Sequence, residues 1–317
     1  MDAVVQRGQF ETSDCIDEIN ERNYQLGWDI QYRQLKAREF SGGMAGIDIG
    51  ESTVLVEAVD SPTEVVGEFD GGVVSILVSF NPSGSGTYVQ GQDFCSNAFL
   101  LQGSGEINCI TAESTQLGEW FVDTDVFHRS WAMLAPGLDP FQFGYYGFVS
   151  APPELTRILH RNNERIVLGD YALSATEGEY ISCVLATFAG LALSSAPGFT
   201  IHPRLAARAR LIKRARDYIE AHLSDSISLP ELCGYTGTSI STLSRVFGEY
   251  YGMSPAAFIR WRRMYLCRDT LETAIPAETS VGDVIKACGI RHAGRFAREY
   301  HQFFGETPKQ TLGYLTA

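Results

Sequence analysis

Apolar positions along this chain change their period after about residue 150. From Gly42 to about Trp131 they fall in short β-like runs. Val54-Leu55-Val56-Glu57-Ala58-Val59 and Val73-Val74-Ser75-Ile76-Leu77-Val78-Ser79-Phe80 are rich in β-branched and apolar residues, and Asp70-Gly71-Gly72 and Asn81-Pro82-Ser83-Gly84 punctuate them as turns. Tyr32-Arg33-Gln34-Leu35 predicts an earlier strand. Short strands at this spacing predict a barrel or a sandwich. After Pro152-Pro153 the period becomes helical: Leu155, Ile158 and Leu159 suit one helix face, and Tyr180, Ile181, Val184, Leu185, Phe188, Leu191 and Ala192 another. Two such helices either cover the barrel or pair two subunits. The run from Ser194 to Gly198 reads as part of a linker. The expected fold class is α+β multidomain: a β-barrel over 1–150, trailing helices over 151–194, a linker over 195–203 and an all-α domain over 204–317 with two helix-turn-helix motifs.

Those motifs show as a repeat. Arg245-Val246-Phe247, Gly252 and Ser254-Pro255 are echoed by Arg298-Glu299-Tyr300, Gly305 and Thr307-Pro308. Upstream, Ser228-Leu229 matches Ser280-Val281, Glu231-Leu232 matches Asp283-Val284, and Gly237 matches Gly289. In the first copy Ser228 and Glu231 have capping-box spacing, with Pro230 tolerated in the first turn. Gly237 suits a left-handed turn and Ser239 caps the next helix. There Leu243, Val246, Phe247 and Tyr250 form an apolar stripe, while Ser241, Ser244, Arg245 and Gly248 lie away from it. Small polar residues and one Arg on an exposed face suit a helix that enters a major groove.

In the second copy Ser280 caps, Gly289 turns, and Phe296, Tyr300 and Phe303 face inward. Arg295, Arg298 and Gln302 share another face. Gly294 costs its helix up to ~1 kcal/mol relative to Ala, a weakness that suits close approach to a DNA backbone. A connecting helix from Pro255 to about Thr273 spans roughly 29 Å at ~1.5 Å per residue. That length suits two readers about one DNA turn, ~34 Å, apart. Its Arg260, Arg262, Arg263 and Arg268 are candidate phosphate contacts, with a solvated face as the plainer reading.

Charge sharpens the division. The net charge is −13, which taken alone argues against nucleic acid. Residues 204–317, however, hold 16 Lys and Arg against 11 Asp and Glu, a net of +5, leaving −18 on residues 1–203. A basic module joined to an acidic one is the expected pattern of a nucleic-acid binder with a separate partner domain. No signal peptide and no run of ~20 apolar residues is visible. The seven cysteines are scattered without a C-x-x-C pair, as free thiols in a cytoplasmic protein are.

The stretch from Arg214 to Leu312 resembles the DNA-binding domain of AraC/XylS-type transcription regulators. The matching text includes ISLPELCGYTGTSISTLSRVFGEYYGMSPAAFIRWRRM and SVGDVIKACGIRHAGRFAREYHQFFGETPKQTL. The resemblance implies seven helices, two helix-turn-helix motifs, and major-groove contacts from the third and sixth helices. Carried over by position, these contacts fall on Ser241, Thr242, Ser244 and Arg245, and on Gly294, Arg295 and Arg298. Ile290 stands where Phe is usual and Cys267 where Ala is usual. The N-terminal half resembles the family's cupin-like sensor halves loosely, nearest to amine-responsive members.

The implied function is a sequence-specific DNA-binding regulator, by family habit an activator, controlled by a small-molecule effector in the N-terminal half. Expected partners are promoter DNA, RNA polymerase, the effector and a second copy of the chain; a membrane is not among them. Two alternatives stay open: control by a protein partner, and a cupin-type enzyme fused to a DNA-binding domain. His128, His160 and His202 form no H-x-H cluster, so no metal, cofactor or enzymatic activity is expected. Cys15, Cys95 and Cys109 lack zinc spacing. Trp28, Tyr32, Phe40, Phe80, Tyr88, Trp120 and Trp131 line either an effector pocket or, as such aromatics more often do, a core. The sequence names no effector-binding residue.

Overall fold

The computed structural model describes residues 11–150 apart from 26–27, 38, 50–51, 70–71, 82–85, 90–91, 95–97, 104 and 135–145, then 157, 160, 161 and 164, and finally 203–313. Leu155, Ile158 and Leu159, the helix expected at Tyr180 to Leu193, the linker before Pro203 and the Ser83-Gly84 turn therefore lie outside the described residues, as do the side chains of Trp131 and Cys95. Two compact units divide the chain: Met1–Gln34 with Glu39–His202, and Leu35–Arg38 with Pro203–Ala317.

The first unit is built on two antiparallel sheets. A short strand β1 (Glu11–Ser13) and helix α1 (Ile16–Gln25) precede β2 (Ile30–Gln34). Then come β3 (Gly42–Ile49), β4 (Ser52–Val59), β5 (Thr63–Phe69), β6 (Val73–Ser79), β7 (Tyr88–Val89), β8 (Gln92–Asp93), β9 (Ala98–Gln102), β10 (Gly105–Thr111) and β11 (Thr115–Asp123), helix α2 (Thr124–Leu134) and β12 (Tyr146–Ser150). One sheet has the order β1-β3-β4-β11-β6-β9-β12, the other β2-β5-β10-β7-β8. Among the described strands no pairing closes these sheets into a barrel. Helix α2 corrects the expectation of β structure up to Trp131: its Trp and Phe residues favour strands by propensity, yet Phe127 is buried in a helix that packs on β11 and β6.

The sheets share one apolar core. Tyr32, Val65, Val89 and Cys109 from the smaller sheet meet Met44, Leu55, Leu77, Leu100, Leu117 and Phe121 from the larger, with Ile16 and Ile19 of α1 among them. The opposite parity of the larger sheet is buried as well, at Val54, Val56, Val74, Ile76, Val78, Trp120 and Val122. Burial of both faces explains why Val73 to Val78 reads as a near-continuous apolar run instead of an alternating one.

The second unit is helical: α3 (Pro203–Ala221), α4 (Leu229–Thr236), α5 (Ile240–Tyr251), α6 (Pro255–Thr273), α7 (Val281–Ala287), α8 (Ala293–Phe304) and the short α9 (Pro308–Thr311). In its first half the rings of Phe247 and Tyr251 pack on Phe258, the first edge-on and the second tilted. Cys267, Leu271, Val284, Ile285, Phe296 and Tyr300 form the core of its second half.

Candidate nucleic-acid interface

The two helix-turn-helix units are fixed by local chemistry. Ser228 Oγ accepts from the Glu231 amide, and the Glu231 carboxylate accepts from the Ser228 amide at 3.1 Å, closing a capping box. Gly237 ends α4 in the left-handed region, φ 70°. Ser239 then caps α5 through the Thr242 amide. The predicted stripe of Leu243, Val246, Phe247 and Tyr250 is buried, and the exposed face keeps Ser241 and Arg245, flanked by half-buried Thr242 and Ser244. Thr242 is not wholly available: its hydroxyl accepts from Ser239 Oγ at 3.0 Å. Arg245 donates to Glu249 at 3.0 Å, one turn on, and Arg208 reaches the same carboxylate at 3.3 Å.

The second unit departs from this plan in two ways. Ser280 caps α7 as expected, but the residue ahead of α8 is His292, with no side-chain cap bond. Among helices α4 to α9, α8 alone lacks such a cap. Its first amides therefore have no side-chain acceptor from the N-cap, and an anionic oxygen is a suitable one. Gly294, Arg295 and Arg298 are all exposed on α8. Arg295 pairs with Glu299 at 2.7 Å, whereas Arg298 has Gln302 one turn on. The ion pairs on Arg245 and Arg295 are surface pairs of about 0.3–0.5 kcal/mol, weak enough for a phosphate or a guanine edge to displace.

The four connector arginines separate. Arg260 is exposed. Arg262 is buried and donates twice to Glu220 of α3, at 2.5 and 2.8 Å. Arg268 lies over the Phe304 ring at 4.7 Å and pairs with Glu272 at 3.0 Å. Arg263 donates to the carbonyls of Leu223 and Asp225. The last three thus hold the unit together, and of the four only Arg260 stands out as a free-standing surface cation in the way a phosphate contact requires.

Sequence reasoning missed what joins the two halves. The segment Leu223–Ser226 is gripped from the second half by Arg263 and by Arg291, which donates to Ser226 Oγ at 2.9 Å. Gly289 lies against the same segment: a Cβ there would meet Leu223 O at 2.8 Å and Ser224 O at 2.9 Å. A groove of about 840 Å³ opens beside it, with Arg260, Lys286, Arg291 and Arg295 in its walls. Burial lowers the Arg263 pKa, and the Arg291 charge lowers it further.

The sheet unit hides a second polar group. Glu57 and Glu119 occupy the core-facing parity of β4 and β11, between Leu55 and Val59 and between Leu117 and Phe121. The Tyr32 hydroxyl donates to Glu57 and the Ser75 hydroxyl to Glu119. Burial raises Glu57 to about 7 and Glu119 to about 8; the hydroxyl bonds pull both back, and the Glu57 charge adds to the rise at Glu119. The signal was present in the sequence as a carboxylate in step with Leu and Val. Of the aromatics singled out above, Tyr32, Phe40 and Trp120 are buried, and Trp28 packs against Phe121 with ring centroids 4.7 Å apart. Among the described residues there is no cluster of three or more metal-ligating side chains, and no helix is long and apolar enough to cross a membrane.

The two helix-turn-helix pairs, with polar faces outward, define a double helix-turn-helix unit of the DNA-binding class. A family described as "Helix-turn-helix domain" matches residues 232–313. The probable thc operon regulatory protein of Rhodococcus erythropolis is 32% identical over 102 residues, which cover 32% of this chain and 31% of that protein. XylDLEGF operon transcriptional activator 2 of Pseudomonas putida is 33% identical over 100 residues, 32% of this chain and 64% of that protein. The solved structure of a probable AraC family transcriptional regulator from Rhodopseudomonas palustris is 30% identical, covering 33% of this chain and 95% of that one, with a TM-score of 0.30. Residues 232–313 thus carry the helix-turn-helix domain, and about a third of the chain is similar to transcriptional regulators of the AraC/XylS type. The chain spans less than two thirds of the length of the two operon regulators.

Proposed function

We propose that the chain is a sequence-specific DNA-binding regulator of transcription, acting as an activator, whose helical domain over 204–317 reads two successive stretches of major groove. The observation that supports this best is the pairing of two helix-turn-helix units, three of whose four helices are capped by serine, with buried stripes and outward polar faces. Ser241, Thr242, Ser244 and Arg245 read the first stretch; Gly294, Arg295 and Arg298 meet the second, with Arg260 on phosphate. RNA polymerase is the partner an activator requires. Selection of bound fragments from genomic DNA is the direct test, and recovery of random fragments alone would refute the reading. With a selected site in hand, Arg245→Ala should weaken specific binding by roughly 1–3 kcal/mol. An equal loss on random duplex would reassign Arg245 to the backbone.

The residues 1–150 are proposed as a cupin-like sensor domain for a small-molecule effector, with the helices of 151–194 covering it or joining a homodimer. The support is a separate unit with its own apolar core and polar groups held inside it. A thermal-shift screen of amines, amino acids and aromatic acids on the full-length protein tests this; a hit should raise the midpoint by several degrees. A screen without hits, alongside capture of a regulatory protein by the same unit, would favour control by a protein partner.

A further inference from the structure

We propose that Cys267 and Cys288 form a reversible dithiol–disulfide pair that ties the connecting helix α6 to the second helix-turn-helix. Cys267 lies inside α6, and Cys288 closes α7 immediately before the turn residue Gly289. Both are buried, at 0% and 2% exposure, in the same apolar cluster. Both thiols are free, and their side chains hydrogen-bond to each other.

The two sulfurs are not equivalent. The bond to Cys267 holds the Cys288 thiol below its ordinary pKa, and the Thr270 hydroxyl and the Arg263 guanidinium act in the same direction. The same contact, with burial, pushes Cys267 up. A thiolate is the attacking species in disulfide exchange, so Cys288 attacks and Cys267 resolves. The groove passes the turn, with Met264, Ile285, Gly289 and Ile290 in its lining; Cys288 lies behind that lining, and local opening of the turn admits the oxidant. The groove's arginine and lysine walls favour an oxidant that carries carboxylates, which points to a small peptide disulfide of the glutathione type.

The electron count closes with that one oxidant. The Cys288 thiolate attacks one sulfur of the small disulfide, whose S–S bond breaks and releases one thiolate. Cys267, losing its proton to that departing thiolate, then attacks Cys288 Sγ and expels the second. Two protein thiols are oxidised by two electrons, and one small disulfide becomes two small thiols.

The bond has a structural consequence because disulfide geometry is narrow, with Cβ atoms about 3.8 Å apart. Closing it draws the end of α7 toward α6 at the residue next to Gly289, which has no slack against the Leu223 and Ser224 carbonyls. The turn that aims α8 must shift. Oxidation therefore weakens reading of the second stretch of DNA, a consequence that rests on the DNA-binding reading above; the bond itself does not.

The test uses reduced full-length protein incubated with glutathione disulfide, quenched in acid, alkylated and digested with trypsin. The expected product joins Met264–Arg268 to Ala287–Arg291, lighter by two hydrogens than the separate peptides, and disappears with dithiothreitol. Cys267→Ala, which places there the residue usual in the resembled family, should abolish the product. In the wild type, oxidation should move the unfolding midpoint of the helical unit by several degrees and weaken binding to a selected DNA site about tenfold, with neither change in Cys267→Ala. Absence of the cross-link in folded protein would overturn the proposal. So would a cross-link that leaves both midpoint and DNA affinity unchanged. If the reduced protein selects no DNA at all, the DNA-binding reading fails, and the peptide and unfolding readouts still decide the thiol pair.

Discussion

Glu57 and Glu119 stand where strand parity places Leu and Val, and the consequence is a pH-dependent sheet unit. An unfolded glutamate titrates near its ordinary 4.5, while burial raises Glu57 to about 7 and Glu119 to about 8. The folded state therefore binds protons that the unfolded state has already released. That stabilisation is fully present below the unfolded value and is lost as pH rises through the folded values. A tenfold change in proton affinity on folding corresponds to about 1.4 kcal/mol, so stability should fall by several kcal/mol between about pH 4.5 and pH 8 and level off above that. Trp28 and Trp120 report on this unit, and a Trp261→Phe background removes the tryptophan of the helical one. Denaturant unfolding followed by fluorescence should show the fall, and Glu57→Gln with Glu119→Gln should flatten it. An unchanged profile in the double variant would mean that other groups carry the dependence. Both glutamates were visible in the sequence as carboxylates in phase with apolar neighbours. Their partners were not, because Tyr32 and Ser75 come from strands distant in sequence from Glu57 and Glu119.

Among the elements, those fixed by neighbours in sequence were legible. Helices α4, α5 and α6 begin after the expected Ser228, Ser239 and Ser254, and the turn glycines fall in the left-handed region. These signals act within a few residues, so no tertiary knowledge is needed to read them. Helices α1 and α2 were missed for the opposite reason. Of the ten residues of α1 only Ile16, Ile19 and Asn23 are buried, too thin a stripe to declare a period. Glycines of the second unit separate by the same logic. Gly289 combines φ 71° with carbonyls 2.8 and 2.9 Å from a would-be Cβ, so Gly289→Ala should cost more than about 2 kcal/mol in denaturant unfolding. Gly294 has nothing within 4 Å of that position. Gly294→Ala should leave stability unchanged or raise it by up to about 1 kcal/mol. If it also weakens DNA binding, the glycine serves close approach to the backbone; unchanged binding would end that explanation.

For the whole molecule, charge distribution is the property most open to measurement. The C-terminal part carries +5 and the remainder −18, so the acidic half should oppose non-specific attraction to phosphate. Residues 204–317 alone are expected to bind random duplex more tightly than the full chain at low salt, with the difference shrinking as salt screens it. Equal affinity at low salt would show that the acidic half exerts no such field on DNA. By itself the sequence determined the double helix-turn-helix, its caps, its buried stripes and the division of charge, because each depends on short-range spacing or on counting. Only the tertiary structure decided which arginines remain available. Arg260, Arg262, Arg263 and Arg268 look alike along one helix, yet Glu220, the Leu223 and Asp225 carbonyls, Glu272 and the Phe304 ring claim three of them. It also brought Cys267 against Cys288 and Glu57 into one core with Glu119. Such meetings depend on which segments pack together, and spacing along a single chain does not encode them.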